Sequence, residues 1–438
     1  MSQATNNTSI IGARLLDLTA IPDTSTDVHI VDGVICDKPA TDSQIIDATG
    51  MVLSPGFVDL YARLREPGLT RKGTLASECH AALAAGFTTL LCSPDTHPVI
   101  DSTATVELIR QRAQQAGGAR VIPLAALTAN LEGQRLSEIA TLRDAGCVGA
   151  SQADQPIADT SVLLSAMEYA ATFDIPLLLT ARDPQIGGAG CAHAGAVATR
   201  LGLPGIPAAT ETIGLARLIE LCRDTACRLH ISRISTARGV EQIHAAKQAG
   251  LSITADVGIH HLFFTEKHIN GFDVNFHSSV PFRSEQDRDA LRAGVANGTI
   301  DAICSDHAPH DTDAKLAPFP SSAAGLSAFD VFLPLLMQLP ALLDVPLSKI
   351  LSAVTTMPAN ILATETVEST LAAGKSANLV LFDPAAPAQC TSANFLSQGR
   401  NTPFLDCDDA NIHLESGLPF TGKVHTVWLR GVPTTFIQ

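Results

Sequence analysis

The stretch Val52-Leu53-Ser54-Pro55-Gly56-Phe57-Val58-Asp59-Leu60-Tyr61-Ala62-Arg63-Leu64-Arg65-Glu66-Pro67-Gly68 decides how this chain is read. Its first half is an apolar run punctuated by Pro55 and Gly56, the mark of a buried strand. Residues two apart on a strand share a face, so Tyr61 and Arg63 point together at one place. Neither side chain suits a divalent metal there. Tyrosine is protonated near neutral pH, and arginine stays charged with no lone pair to give. At ~4 Å and an effective dielectric of ~20, two unit charges interact by ~4 kcal/mol, so a divalent ion beside Arg63 meets about twice that repulsion.

Outward from this strand, short apolar runs alternate with helical patterns. Gly86 to Cys92 reads as a strand entered from a helix over Glu78 to Ala85. Ile175 to Thr180, Arg228 to Ile231, Leu251 to Ala255 and Thr299 to Cys304 are similar runs, with helical periodicity over Thr210 to Cys222 and Val240 to Ala249. Such alternation implies a parallel α/β sheet, and 438 residues suit one (β/α)8 barrel plus a smaller unit. The two ends, residues 8 to 54 and 374 to 438, carry short alternating segments instead, with Val31-Asp32-Gly33-Val34 as a hairpin signal. The polar first seven residues are expected to fray.

Residues 55 to 68 resemble the first barrel strand of the dihydroorotase branch of the amidohydrolase superfamily, whose pattern is P-G-F-x-D-x-H-x-H-x-R-E-P-G. The resemblance runs almost end to end. It implies an α/β fold, with a TIM-type (β/α)8 barrel over residues 55–364 and a small β-sandwich made by residues 8–54 and 365–438. It also implies catalytic zinc, held in the family by histidines whose places are taken here by Tyr61 and Arg63. Ser151-Gln152-Ala153-Asp154-Gln155-Pro156 stands for S-D-D-G-x-P, so Gln152 and Ala153 replace two acids and Asp154 replaces a glycine. No lysine lies between residues 147 and 153 to serve as a carboxylated metal bridge. Thr180-Ala181-Arg182-Asp183 stands for H-C-E-D and Arg233-Ile234-Ser235-Thr236 for H-V-S-T, so Thr180 and Arg233 replace further metal histidines. His230, three residues earlier, falls on a strand position expected to face the other way.

One signature is intact. Ser305-Asp306-His307-Ala308-Pro309-His310 matches T-D-H-A-P-H, so the resemblance assigns Asp306 the general-base position and His310 a substrate contact. A lone aspartate does not hold a catalytic zinc, which takes several protein ligands plus water. The substrate shell changes too. Asp95 stands at the amide of M-P-N-T, where it would repel an anionic substrate, and Ser279 stands at an asparagine. Arg65 alone keeps a carboxylate-binding position.

Composition bounds the setting. A net charge of −15 and a pI near 5.3 argue against nucleic acid or an anionic membrane as partner. Ten cysteines without a C-x-x-C pair read as reduced core thiols of a cytoplasmic protein. No secretory signal pattern opens the sequence, no apolar run reaches membrane-span length, and 4% aromatic content argues against a base-stacking surface.

Several side chains carry two readings. His260 and His261 could form a replacement metal site, but the resemblance places a non-ligand pair there and a structural role is preferred. His244, His268 and His277 read as surface or loop residues. Asp306 with His307 and His310 could form an acid–base dyad. The preferred reading is that this loop packs and turns the chain, since a dyad without metal lacks the electrophile that polarises an amide. Arg63 and Arg233 could fill the space left by the metals and neutralise Asp306. Alternatively, Arg63, Arg65, Arg182 and Arg233 could converge on a small anion.

No cofactor is expected on these residues, and zinc is expected to be lost. The resemblance extends to the inactive dihydroorotase-like chain that certain bacteria assemble with aspartate carbamoyltransferase. It implies a non-catalytic structural subunit of pyrimidine biosynthesis, in a hetero-dodecamer of six plus six chains. The alternatives are a divergent, metal-poor cyclic amidohydrolase built on Asp306 and His310, or an anion-sensing regulatory module.

Overall fold

The computed structural model describes residues 7–15, 24–364, 366–407, 414 and 416–436. Most of the terminal segment expected to fray, and residue 365 at the expected boundary, lie outside these residues. Eight strands run parallel around a barrel: Phe57–Ala62, Phe87–Cys92, Arg120–Pro123 continued by Ala125–Ala126, Ala150–Ser151, Leu177–Thr180, Leu229–Ser232, Ile253–Gly258 and Ala302–Cys304. The third strand breaks at Leu124, its first half pairing with the second strand and its second half with the fourth. Closure comes from a parallel bridge between Ala62 and His307, with the Arg63 N–H donating to the His307 carbonyl at 2.9 Å.

These strands are apolar almost throughout because both faces are buried. Val58, Leu60, Leu91, Ile122, Leu124 and Leu178 fill the interior, and the helix Thr356–Leu362 seals its lower end through Ala359 and Leu362. Helices cover the outside. Thr74, Ser102, Asp159, Thr236 and Ser284 cap five of them by accepting backbone N–H groups, which fixes where each helix leaves its loop. The two expected mid-chain helices run slightly longer, as Ala208–Thr225 and Ala237–Gln248. Among the described residues, no helix is long and apolar enough to cross a membrane.

Both chain ends enter a single eight-stranded sheet, in which Val52–Pro55 pairs antiparallel with Leu379–Pro387. Asp32 and Gly33 both have positive φ (53° and 82°), the geometry of the tight hairpin turn that joins Thr24–Val31 to Val34–Cys36. Ile10, Ile30, Leu53, Leu379 and Trp428 form the sheet's own core. Its other face packs on the barrel, where Phe382 meets Phe57 at 6.4 Å between ring centroids. The end of the chain thus clamps the strand that opens the barrel.

Two sequence expectations are corrected. His230 does not face away from the barrel mouth side of its strand: Nε2 lies 2.8 Å from Asp256 and Nδ1 2.9 Å from Thr254, both on the neighbouring strand. The alternation rule fails because Arg233 lies past the strand end with φ 59°, which turns its side chain inward as well. His277 is also no surface residue. It is buried, stacked on Phe319 at 4.8 Å and bonded to Ser322.

Candidate functional site

The barrel mouth collects residues from the C-terminal ends of six strands or the turns just after them, the place where this fold puts its chemistry. Tyr61 and Arg63 come from the first, Asp95 follows the second, Asp154 the fourth, Thr180 ends the fifth, Arg233 follows the sixth and Asp306 the eighth. Arg65, Arg233 and Asp306 hold positive φ of 65°, 59° and 50°. Non-glycine residues take that conformation at a cost, and such positions gather at functional sites.

Charges of opposite sign interlock across the mouth. Arg63 donates through Nε to Asp95 at 2.8 Å and through Nη2 to Asp154 at 2.5 Å. Arg233 donates to the other oxygen of Asp154, to Asp306 at 3.0 Å and to the Thr180 hydroxyl at 2.8 Å. The Tyr61 ring lies beneath both guanidinium groups, with Arg233 3.7 Å and Arg63 5.2 Å from its centroid. Burial alone would raise the Asp154 pKa, but the Arg233 and Arg63 charges and hydrogen bonds outweigh it and hold the carboxyl far below its ordinary range. The same contest, won by Arg63, keeps Asp95 low. Burial pushes the Tyr61 phenol up, so it stays protonated, and its hydroxyl has no hydrogen-bond partner among the described residues.

The loop that matches T-D-H-A-P-H is tied down on every side. The Ala328 N–H donates to His307 Nδ1 at 3.0 Å, so the ring proton sits on Nε2, which donates to Glu78 at 2.8 Å. Glu78 is wholly buried and also accepts from Ser77, Ser397 and the Gln398 N–H. The ring of His307 stacks on Phe329 at 3.9 Å. His310 donates its backbone N–H to Asn401 and places Nε2 3.0 Å from both Arg65 Nη2 and the Ala324 carbonyl. Burial and the Arg65 charge push its pKa down to about 2.

A family model described as dihydro-orotase-like matches residues 50–239. A dihydroorotase-like protein of Pseudomonas putida is 43% identical over 404 residues, covering 91% of this chain and 94% of its own. The chain belongs to the dihydroorotase-like family. A protein named dihydroorotase, from Syntrophotalea carbinolica, is 36% identical over 91% of this chain and 94% of its own. The fold also matches the L-hydantoinase (dihydropyrimidinase) of Arthrobacter aurescens, at a TM-score of 0.83 with 20% identity, over 98% of this chain and 97% of that one.

Zinc, the metal that the sequence resemblance implies, does not fit the donors of this dihydroorotase-like mouth. Among the described residues, no group of three or more His, Cys, Asp or Glu side chains could hold a metal ion. Where ligands would converge stand two guanidinium groups. Asp306 and Thr180 accept from Arg233, and the Gln152 amide is turned away to Thr128 and the Leu131 carbonyl. His260 and His261 are buried neutral rings, one stacked on Phe264 and the other 3.0 Å from the Val280 carbonyl.

The structure brings together Tyr61, Arg63, Thr180, Arg233 and Asp306, and separates Gln152. It pairs Asp306 with Arg233, as one of the sequence readings expects, while Arg63 takes other partners. The convergence of Arg63, Arg65, Arg182 and Arg233 on one anion is overturned. Arg63 and Arg233 are already neutralised by aspartates, and Arg65 is turned to His310 and the Pro309 carbonyl. Sequence reasoning missed that Asp154 bridges both arginines and that Asp95 serves Arg63. The signal was available in charge: each arginine that replaces a histidine is matched by an aspartate at a place the family leaves neutral.

Four buried histidines set a pH dependence. Burial pushes His260 down to about 3, His261 and His277 to about 4, and His310 to about 2, from an ordinary 6.5. Their folded pKa lies below the unfolded one, so below pH 6.5 the unfolded chain binds more protons and stability falls as pH falls. Each contributes up to about 1.4 kcal/mol per pH unit. Asp59 opposes them: burial raises it to about 7 despite hydrogen bonds from Ser305, a contribution present at low pH and lost as pH rises toward 7. One group against four leaves the histidines in control. Denaturation midpoints should therefore drop steeply from pH ~6.5 to ~4, and a flat profile in that window would contradict the buried neutral rings.

Proposed function

We propose that this chain is a catalytically inactive dihydroorotase-like protein that serves aspartate carbamoyltransferase as a structural, non-catalytic partner in cytoplasmic pyrimidine biosynthesis. The observation that carries the reading is the ion network across the barrel mouth. Hydrolysis of a cyclic amide needs an electrophile on the carbonyl and a base for the attacking water. Here the electrophile's place holds Arg63 and Arg233, and the aspartate at the general-base position is hydrogen-bonded to one of them. His310 is held neutral beside Arg65, which disfavours the acid–base alternative. A fold without working chemistry is retained for its surfaces, and the family resemblance supplies the partner and the expected six-plus-six assembly. All ten cysteines are thiols, eight of them buried, which supports a reducing compartment.

The test is metal content and dihydroorotase turnover, measured on the chain alone and after co-expression with an aspartate carbamoyltransferase. The expected result is no bound zinc, no turnover, and one large complex containing both chains. About one zinc per chain together with cyclic-amide hydrolysis would overturn the reading.

A further inference from the structure

Among the described residues, two arginines at the mouth have no carboxylate within hydrogen-bonding distance. Arg283 is buried at 5% exposure, yet its guanidinium bonds only neutral groups: the Ser235 hydroxyl at 3.1 Å, the Ile206 carbonyl at 2.8 Å and His193 Nδ1 at 3.2 Å. Arg182 is half-buried and, among the described residues, has no hydrogen-bond or ion-pair partner. Both line one cavity of about 30 Å³, beside Arg233, Thr180 and Ser279. The carboxylates on its wall are engaged elsewhere. Asp154 is held by Arg63 and Arg233, and Glu211 accepts four hydrogen bonds from the backbone and hydroxyls of Ser235 and Thr236.

We propose that this cavity binds a small carboxylate-type oxyanion, such as formate or bicarbonate, between Arg182 and Arg283. Two like charges that line one void, whose carboxylates are already hydrogen-bonded to other groups, are stabilised by an anion that both can reach. The planar guanidinium fork matches a carboxylate in two-point contact. Burial pushes the Arg283 pKa down, the nearby Glu211 and Asp287 charges only partly offset it, and the Arg182 charge adds to the lowering, which an anion would oppose. Ser279 accepts from Arg233 and keeps its own O–H to donate. A void of this size holds about two water-sized positions, which favours a flat carboxylate head over the bulkier phosphate. The proposal does not depend on the non-catalytic reading, since its test uses no activity.

The test is calorimetric titration and thermal melting with formate, bicarbonate or phosphate at constant ionic strength. Saturable binding of formate or bicarbonate with a Kd of about 1 mM or tighter is expected, with a raised Tm and no binding of phosphate. Arg182→Gln should weaken binding by about tenfold or more. Its ligand-free Tm should stay level or rise, because one of two repelling charges is gone; a merely structural arginine would lose stability instead. Arg182→Lys, which keeps the charge without the fork, should fall between. No saturable binding, equal binding by phosphate, or undiminished binding in Arg182→Gln would overturn the proposal.

Discussion

Arg233→Met is expected to destabilise the fold by about 3–5 kcal/mol, the usual cost of breaking a buried ion pair from one side. The Arg233 side chain is completely buried and serves two aspartates at once. Methionine fills much of its volume, so the loss measures charge more than cavity. Asp306 would be left with no cation within bonding distance, Asp154 would keep only Arg63, and the face of Tyr61 would lose its stacked guanidinium. Urea denaturation reads the effect, with Arg233→Met/Asp306→Asn as the control. Removing the stranded carboxylate should recover a substantial part of the loss, because an unpaired buried charge is the expensive species. A single-variant loss below about 1 kcal/mol, the range of exposed pairs, would mean that water reaches the network and that the mouth is not sealed.

Asp154→Asn is the second large effect, at about 3 kcal/mol, toward the lower end of the same range. Each arginine keeps one aspartate, Arg63 through Asp95 and Arg233 through Asp306, but their shared anion is gone and the two guanidinium groups face each other over Tyr61. The pH profile distinguishes this from a packing defect. The Asp154 pKa is depressed in the fold, so its stabilisation is present above the unfolded carboxylate value of ~3.9 and lost as pH falls below it. The variant should therefore lie well below the wild type at neutral pH and approach it in strong acid. In a double-mutant cycle with Arg233→Met, a coupling of about 0.5–3 kcal/mol is expected. Additivity within about 0.3 kcal/mol would show that the two residues act independently.

Much of this was legible from residue order. Continuous apolar strands such as Phe87–Cys92, alternating with periodic helices, have one economical arrangement, because a parallel sheet needs both faces covered. The hairpin at Asp32-Gly33 followed from two residues tolerant of positive φ. The replacement of metal-binding residues by Tyr61, Arg63, Thr180 and Arg233 was equally plain, since the chemistry of a donor set is a property of residue type.

What the sequence could not supply was direction and partnership. Strand alternation put His230 and Arg233 on opposite sides, and a single backbone torsion at Arg233 cancelled that. The glycine-position Asp154 gained its role only because the barrel brings the fourth, first and sixth strand ends within bonding distance, across 91 and 79 residues of chain. Likewise, among the described residues Arg283 has no carboxylate within hydrogen-bonding distance because its loop folds it against Ser235 and Ile206. Residue types determined which chemistry this mouth gave up; tertiary closeness decided which charges neutralise each other, since Coulomb energy depends on separation in space and not along the chain.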